Sequence, residues 1–382
     1  MWTMEGPPGA ETVLNGRRYL YFAGTGYLGL QGHPAVISAA QLAAGQYGVH
    51  SATTRTGYGT CPPVREVEHR VARLLGSEAA LYLVSGYAVN FAIAAALSSV
   101  ADLLLIDEFA HDCLREATRW FDQLKRPALT FRHRDVGQLA ELLHAHTRAG
   151  CRPLVLTDGV FPVSGQVAPL KEYLSALSNF DGAMLLVDDA HGLATVGETG
   201  RGSLELAGVA ADRINLDPDE LHPLGPRVFH TATLSKAVGG HGGVIAGSQK
   251  FLDRIRRSSG WFRGASAPAA PVAAATAKGL ELVETQPNLR RQLAANVERV
   301  RGGLRALGLP VEPGPAPIIG FALQSVEQMQ RVQQQLAEQG IAIAYARDYA
   351  GSGPDGMLRI AVFSTHTPEM IERLLKVLAR AI

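Results

Sequence analysis

The chain is poor in cysteine, in net charge and in long apolar runs. Three cysteines, Cys61, Cys113 and Cys151, occur in 382 residues, widely spaced and without a C-x-x-C pair. That argues against a disulfide framework and a zinc site, and it suits a reducing compartment. Lys and Arg number 36 against 35 Asp and Glu, a formal charge of +1, so no nucleic-acid partner is indicated. No stretch reaches the ~18 apolar residues of a membrane span, and Met1–Thr12 has no charged-then-apolar leader pattern. A cytoplasmic setting is therefore expected. Hydrophobic residues make up 47% and charged residues 19%, which excludes a disordered chain and allows a large core. What is abundant is glycine, with 41 residues, roughly 11% against a usual ~7%. Tight turns and close approach of backbone to a ligand follow from that.

From about residue 50 the pattern alternates between helix-length segments, such as Val64–Leu75, and short runs that are apolar on both faces. The runs are Ala79–Val84, Asp102–Ile106, Pro153–Thr157, Ala183–Val187, Val228–Thr233 and Gly243–Ala246. This is how buried strands of a mostly parallel sheet read, and it predicts an α/β fold. Ligands of such sheets sit at the carboxyl ends of the strands. Residues 46–270 are expected to form this large domain, after an N-terminal arm, 1–45, with a turn at Asn15-Gly16. Residues 271–382 read as a smaller α+β domain. There Ser325-x-x-Gln328 predicts a capping box, followed by the stripe Val326, Met329, Val332 and Leu336 and a stop at Gly340. Ile341–Ala346 reads as one strand. Thr367-Pro368 opens a last helix with Met370, Ile371, Leu374, Leu375, Leu378 and Ile382 on one face.

Four stretches after predicted strands carry chemistry. Val228–Gly243 places Lys236 after a strand, among Thr231, Thr233, Ser235 and four glycines. A lysine desolvated at the mouth of a sheet has a depressed pKa and an amine ready for Schiff-base chemistry. Nearby hydroxyls and N–H groups can hold a phosphate. The bland alternative is a surface lysine in a glycine loop. Asp188, Asp189 and His191 follow another strand. A carboxylate there can keep a ring nitrogen protonated, as a pyridoxal ring requires; helix capping is the alternative, above all for Asp189. Ser85, Gly86 and Tyr87 open a helical run that can receive an anion, or make an ordinary turn. His111, after Asp107-Glu108, can stack on a flat heterocycle, although a lone histidine is more often structural.

Together these pieces resemble the α-oxoamine synthase family of fold-type-I pyridoxal-phosphate enzymes, which includes 8-amino-7-oxononanoate synthase and 2-amino-3-ketobutyrate CoA ligase. The likeness runs over Y-L-G-L (Tyr27–Leu30), S-G-Y-A-V-N (Ser85–Asn90), D-E-F-A-H (Asp107–His111) and T-D-G-V-F (Thr157–Phe161). It continues through Val187–Gly202, T-L-S-K-A-V-G-G (Thr233–Gly240) and M-L-R-I-A-V (Met357–Val362). The resemblance implies a large mostly parallel sheet with helices on both faces, a small C-terminal domain and pyridoxal 5'-phosphate. By position it implies that Lys236 holds the cofactor and moves protons, Asp188 pairs with the pyridine nitrogen, His191 lies near the phenolic oxygen and His111 stacks on the ring. It places Ser85, Gly86, Tyr87, Asp158 and Thr233 around the cofactor and Ser266 on the neighbouring subunit's phosphate in an obligate homodimer. Arg359 would grip the substrate carboxylate, with Thr25 nearby. The implied reaction joins a small amino acid to an acyl thioester, on coenzyme A or a carrier protein, and loses CO2.

Three positions depart from the family pattern: Thr25-Gly26 where asparagine is usual, Val64 in place of a histidine, and Pro162 in place of a serine. They are expected around substrate and cofactor, and so to bear on substrate identity. Transamination is the competing reaction, since the same Lys–Asp–Arg set serves it. A pyridoxal-binding regulator and a hydrolase based on Ser85 are weaker, the latter because G-x-S-x-G is missing. Biotin synthesis and a secondary-metabolite pathway are the two settings.

Overall fold

In a computed structural model, residues 2–220 and 225–382 are described. The chain opens with a hairpin of β1 (Glu11–Leu14) and β2 (Arg17–Tyr21). Its turn residues Asn15 and Gly16 have φ of 49° and 75°, the left-handed pair that Asn-Gly supplies at least cost. Seven strands follow: β3 (Ala79–Leu83), β4 (Leu103–Asp107), β5 (Ala128–Phe131), β6 (Pro153–Asp158), β7 (Met184–Asp188), β8 (Arg227–Thr233) and β9 (Gly243–Gly247). They form one sheet in the order β3-β9-β8-β7-β6-β4-β5. Only β9 runs against its neighbours, β3 and β8.

Successive side chains go to opposite faces, as a strand requires. Leu104, Ile106, Leu154, Leu156, Leu186 and Phe229 enter one core, covered by helices Gly86–Leu97, Asp112–Ala117 and Gln249–Ser258. Leu103, Leu105, Val155, Leu185, Val187 and Val228 enter another, covered by Val136–His146 and Leu170–Leu177. This double coverage is why the strands read as continuous apolar runs. β5 went unread because it is an edge strand whose residues are largely exposed, so A-L-T-F shows no such run.

Helices Pro34–Tyr47 and Pro62–Leu75 pack against Ala270–Thr285. Val64 is fully buried in the core these helices share with Ala80, Tyr82 and Val244. It is a packing residue, which corrects the expectation that it lies around substrate or cofactor.

In the C-terminal part, β10 (Ile318–Phe321), β11 (Ile341–Ala342), β12 (Ala344–Ala346) and β13 (Met357–Ala361) serve two sheets. One has the order β10-β13-β12; in the other β11 pairs in parallel with β2. The single strand expected over Ile341–Ala346 is thus broken at the buried Ile343, because its halves pair with different partners. Ser325 caps helix Val326–Glu338 by accepting from Gln328 N at 3.2 Å. The return bond runs from Gln324 N to Gln328 Oε1 at 3.1 Å, so the reciprocal half of the expected box lands one residue early. In the last helix, Pro368–Ala381, Ile371, Leu374 and Leu378 are buried, while Ile382 lies past the end and is exposed. Among the described residues no helix is long and apolar enough to cross a membrane.

Candidate active site

The segments that follow β3, β4, β6, β7 and β8 meet around a cavity of about 250 Å³. Ser85, Gly86, Tyr87, His111, Asp158, Asp188, His191, Thr233 and Lys236 all line it. Ser235, one of the hydroxyls noted beside Lys236, lines it too, as do Cys113 and Tyr349, which the sequence did not mark. Thr25, Ser266 and Arg359 are not among its walls.

Lys236 sits three residues beyond the end of β8, and burial pushes its amine down to about 8 against the opposing pull of Asp188 and Asp158. Its Nζ lies 2.7 Å from His191 Nε2, and His191 Nδ1 lies 2.7 Å from the Tyr27 hydroxyl. Burial, then the positive charges of Lys236 and Arg359, holds His191 well below the usual histidine value.

Asp158 and Asp188 are register partners at the ends of β6 and β7. Burial first, then the Asp188 charge, raises Asp158 well above the usual carboxylate range. Asp158 accepts from His111 N at 2.8 Å. Asp188 Oδ2 accepts from Asn90 Nδ2 at 2.6 Å and from Cys113 Sγ at 3.3 Å, while Oδ1 accepts from Ala190 N at 2.9 Å. Asn90 is itself oriented by Thr231, which donates to its Oδ1 at 2.7 Å. The signal for Asn90 was available: it is a lone polar residue in the otherwise apolar, buried helix Gly86–Leu97, where an amide must find partners. Asp189 instead accepts from Ser203 N at 2.6 Å, at the first turn of a short helix.

His111 does cap a helix: its Nδ1 accepts from Cys113 N at 3.2 Å. That leaves the ring proton on Nε2, which donates to the Tyr349 hydroxyl at 2.8 Å. Cys113 follows His111 by two residues and was legible only as a neighbour; burial and the nearby carboxylates raise its thiol pKa. Tyr349 stands in an irregular loop, and no pattern marked it.

Ser85 caps helix Gly86–Leu97, accepting from Tyr87 N at 3.0 Å. The turn is an ordinary helix cap, and the capped helix start also lines the cavity. A side chain at Gly86 would place Cβ 2.8 Å from Thr233, so the close approach requires glycine. Thr233 Oγ1 donates to Gly242 O at 2.9 Å, and Ser235 Oγ accepts from Gly242 N at 3.1 Å.

Arg359, on β13, is buried behind Tyr27. It donates from Nε to Pro162 O at 2.7 Å, from Nη1 to Gly24 O at 3.0 Å and from Nη2 to the Tyr27 hydroxyl at 3.4 Å. These bonds use three of its five N–H groups and leave one on each terminal nitrogen. Pro162 thus touches the site through its carbonyl. Thr25 is half-buried in the bend beside Gly24, and Ser266 is exposed, bridged to Thr54.

A buried amine of lowered pKa, two adjacent carboxylates and a helix start crowded against hydroxyls fit pyridoxal phosphate, with its aldehyde, ring nitrogen and phosphate. Comparison with known proteins agrees. Residues 20–378 match the family Aminotransferase class I and II. A protein of Methylocella silvestris named 8-amino-7-oxononanoate synthase is 38% identical over 363 residues, covering 94% of this chain and 95% of that one. One of the same name from Geotalea daltonii is 32% identical over 382 residues, covering 99% and 92%. A serine palmitoyltransferase structure from S. paucimobilis, described as carrying a bound PLP–myriocin aldimine, superposes with a TM-score of 0.88 at 26% identity, covering 100% of this chain and 92% of that one. The chain belongs to the aminotransferase class I and II family, and within it is a pyridoxal-phosphate-dependent α-oxoamine synthase of fold type I.

Proposed function

We propose that the protein condenses a small α-amino acid with an acyl thioester, on coenzyme A or a carrier protein, and releases thiol, CO2 and an α-amino ketone. The observation that carries this is the buried Lys236 amine, lowered to about 8, in one cavity with Asp188 and Asp158 and linked through His191 and Tyr27 to Arg359. The relatives named 8-amino-7-oxononanoate synthase support it.

When bound, pyridoxal phosphate supplies an aldehyde and a ring that stabilises negative charge at the substrate α-carbon. The chain's own groups do the rest. Lys236 Nζ is the covalent anchor and, as free base near pH 8, takes and returns the α-proton. Asp188, held by Asn90, Cys113 and Ala190, would pair with the ring nitrogen of the bound cofactor. His191 would face the phenolic oxygen of the bound cofactor, and His111 would lie against its ring. Gly86 and Tyr87 at the helix start, with Ser85, Thr233 and Ser235, would hold the phosphate. The free N–H on each terminal nitrogen of Arg359 receives the amino-acid carboxylate as a two-pronged donor, beside Thr25. Asp158 positions His111 through its backbone N–H.

We further read the protein as a cytoplasmic homodimer in which Ser266 serves the neighbouring subunit's phosphate. The exposed apolar side chains Leu42, Val49, Tyr58 and Trp261 support a covered face. Incubating the holoenzyme with panels of amino acids and acyl thioesters should release thiol and CO2 in equal amounts from one matched pair. A keto acid formed without thioester consumption would mean transamination instead, and a sedimentation mass of about one chain would remove the dimer.

A further inference from the structure

Arg359, Tyr27, His191 and Lys236 are joined end to end, and the chemistry of each link fixes its direction. A guanidinium only donates, so the contact from Arg359 Nη2 makes the Tyr27 oxygen an acceptor. Tyr27 is fully buried, and leaving its own O–H without a partner would cost a desolvation penalty. The acceptor 2.7 Å away is His191 Nδ1. A neutral imidazole that accepts at Nδ1 carries its proton at Nε2, and Nε2 faces Lys236 Nζ at 2.7 Å. An N–H aimed at an amine is satisfied only by the free base, since an ammonium has no lone pair.

We infer that Tyr27 is a positioning residue: its hydroxyl selects the His191 tautomer that keeps an N–H on the lysine side and holds Lys236 as free base. Burial, which keeps His191 uncharged, agrees. Other groups act on the same amine: Asp188 and Asp158 favour its charged form, and Arg359 disfavours it. Asp188 and Asp158 make no bond to the phenolic oxygen, and Arg359, which loses only its Nη2 contact when that oxygen is removed, is still held by Pro162 O and Gly24 O. Without that oxygen His191 can turn its proton to Nδ1 and accept from an ammonium at Nε2, so the Lys236 pKa rises.

The inference rests on Lys236 being the reacting amine, not on which substrates are joined. The test is the pH dependence of Lys236 acetylation by acetic anhydride, read by peptide mass, on the full chain freed of pyridoxal phosphate. The wild-type midpoint is expected at about 8. Tyr27→Phe should move it up by about one unit and slow labelling at pH 7.5 about tenfold. An unchanged or lowered midpoint in a folded variant overturns the proposal. Should Tyr27→Phe fail to fold, nitrogen spectra of 15N-histidine-labelled wild type decide the matter, with the His191 signals assigned by their loss in His191→Asn. A bare Nδ1 and a protonated Nε2 support the tautomer, and the reverse overturns it. Neither readout involves turnover, so a failed acyl-transfer assignment leaves this result standing and the converse also holds.

Discussion

Lys236, His191, Asp188, Asp158 and His111 come to the cavity from the ends of neighbouring strands of one sheet. Arg359 comes from a separate three-stranded sheet and is held largely by carbonyls of Gly24 and Pro162. The first wall is made of ionisable side chains set against one another in a buried space, which moves the pKa values of Lys236, His191, Asp158 and His111. Arg359, outside the cavity lining, is a guanidinium on backbone acceptors, a group with N–H donors and no lone pair to take a proton. The cavity wall can exchange protons, and Arg359 can only hold and orient. Tyr27 is where the two meet.

If that contrast is right, Lys236→Ala should have the largest effect, lowering kcat by about 10²–10⁴-fold or more, because it removes both the covalent anchor and the proton carrier. Thiol release by the variant at near wild-type rate would break the division. Arg359→Lys should act chiefly on binding: a point charge cannot serve Pro162, Gly24, Tyr27 and a carboxylate together. KM for the amino acid should rise about tenfold or more, at ~1.5–3 kcal/mol for a lost charge-assisted bond, with a smaller change in kcat; equal losses in kcat and kcat/KM would place Arg359 on the chemical side.

The third effect concerns His366, which fastens Tyr21 and Phe22 to the C-terminal part. Its Nδ1 accepts from Phe363 N at 3.0 Å, its Nε2 donates to Tyr21 O at 3.1 Å, and its ring stacks on Phe22 at 3.9 Å. Burial lowers its pKa to about 4, below the ~6.5 of an unfolded histidine. The unfolded chain therefore binds the proton first. Stability from this group is complete above pH 6.5 and falls by roughly 3 kcal/mol as pH drops through 4. Urea melts from pH 7 to 4 should show that extra slope in wild type and lose it in His366→Gln; identical slopes would detach His366 from the acid response.

Much of the first wall was legible because the rule that reads it is local. A polar residue just past an apolar run must lie at a strand end, and strand ends of a doubly covered sheet converge. His111 and Ser85 show the limit of such reading: each caps a helix and lines the cavity, and sequence alone presents these as alternatives. Arg359 was picked out by resemblance, since nothing local distinguishes it from other arginines. Tyr349 and the break at Ile343 had no signal, because loop course and pairing partner depend on distant strands.

By itself the order of apolar runs and glycines determined an α/β sheet, the turn at Asn15-Gly16 and the list of strand-end residues, since backbone periodicity and left-handed φ are properties of a few neighbouring residues. Which of those residues share one cavity, that Val64 packs in a core, and that Arg359 reaches Lys236 through Tyr27 and His191 were decided by tertiary structure. The links of that chain join positions 45, 164 and 332 residues apart, and their geometry exists only once the sheets and helices have packed.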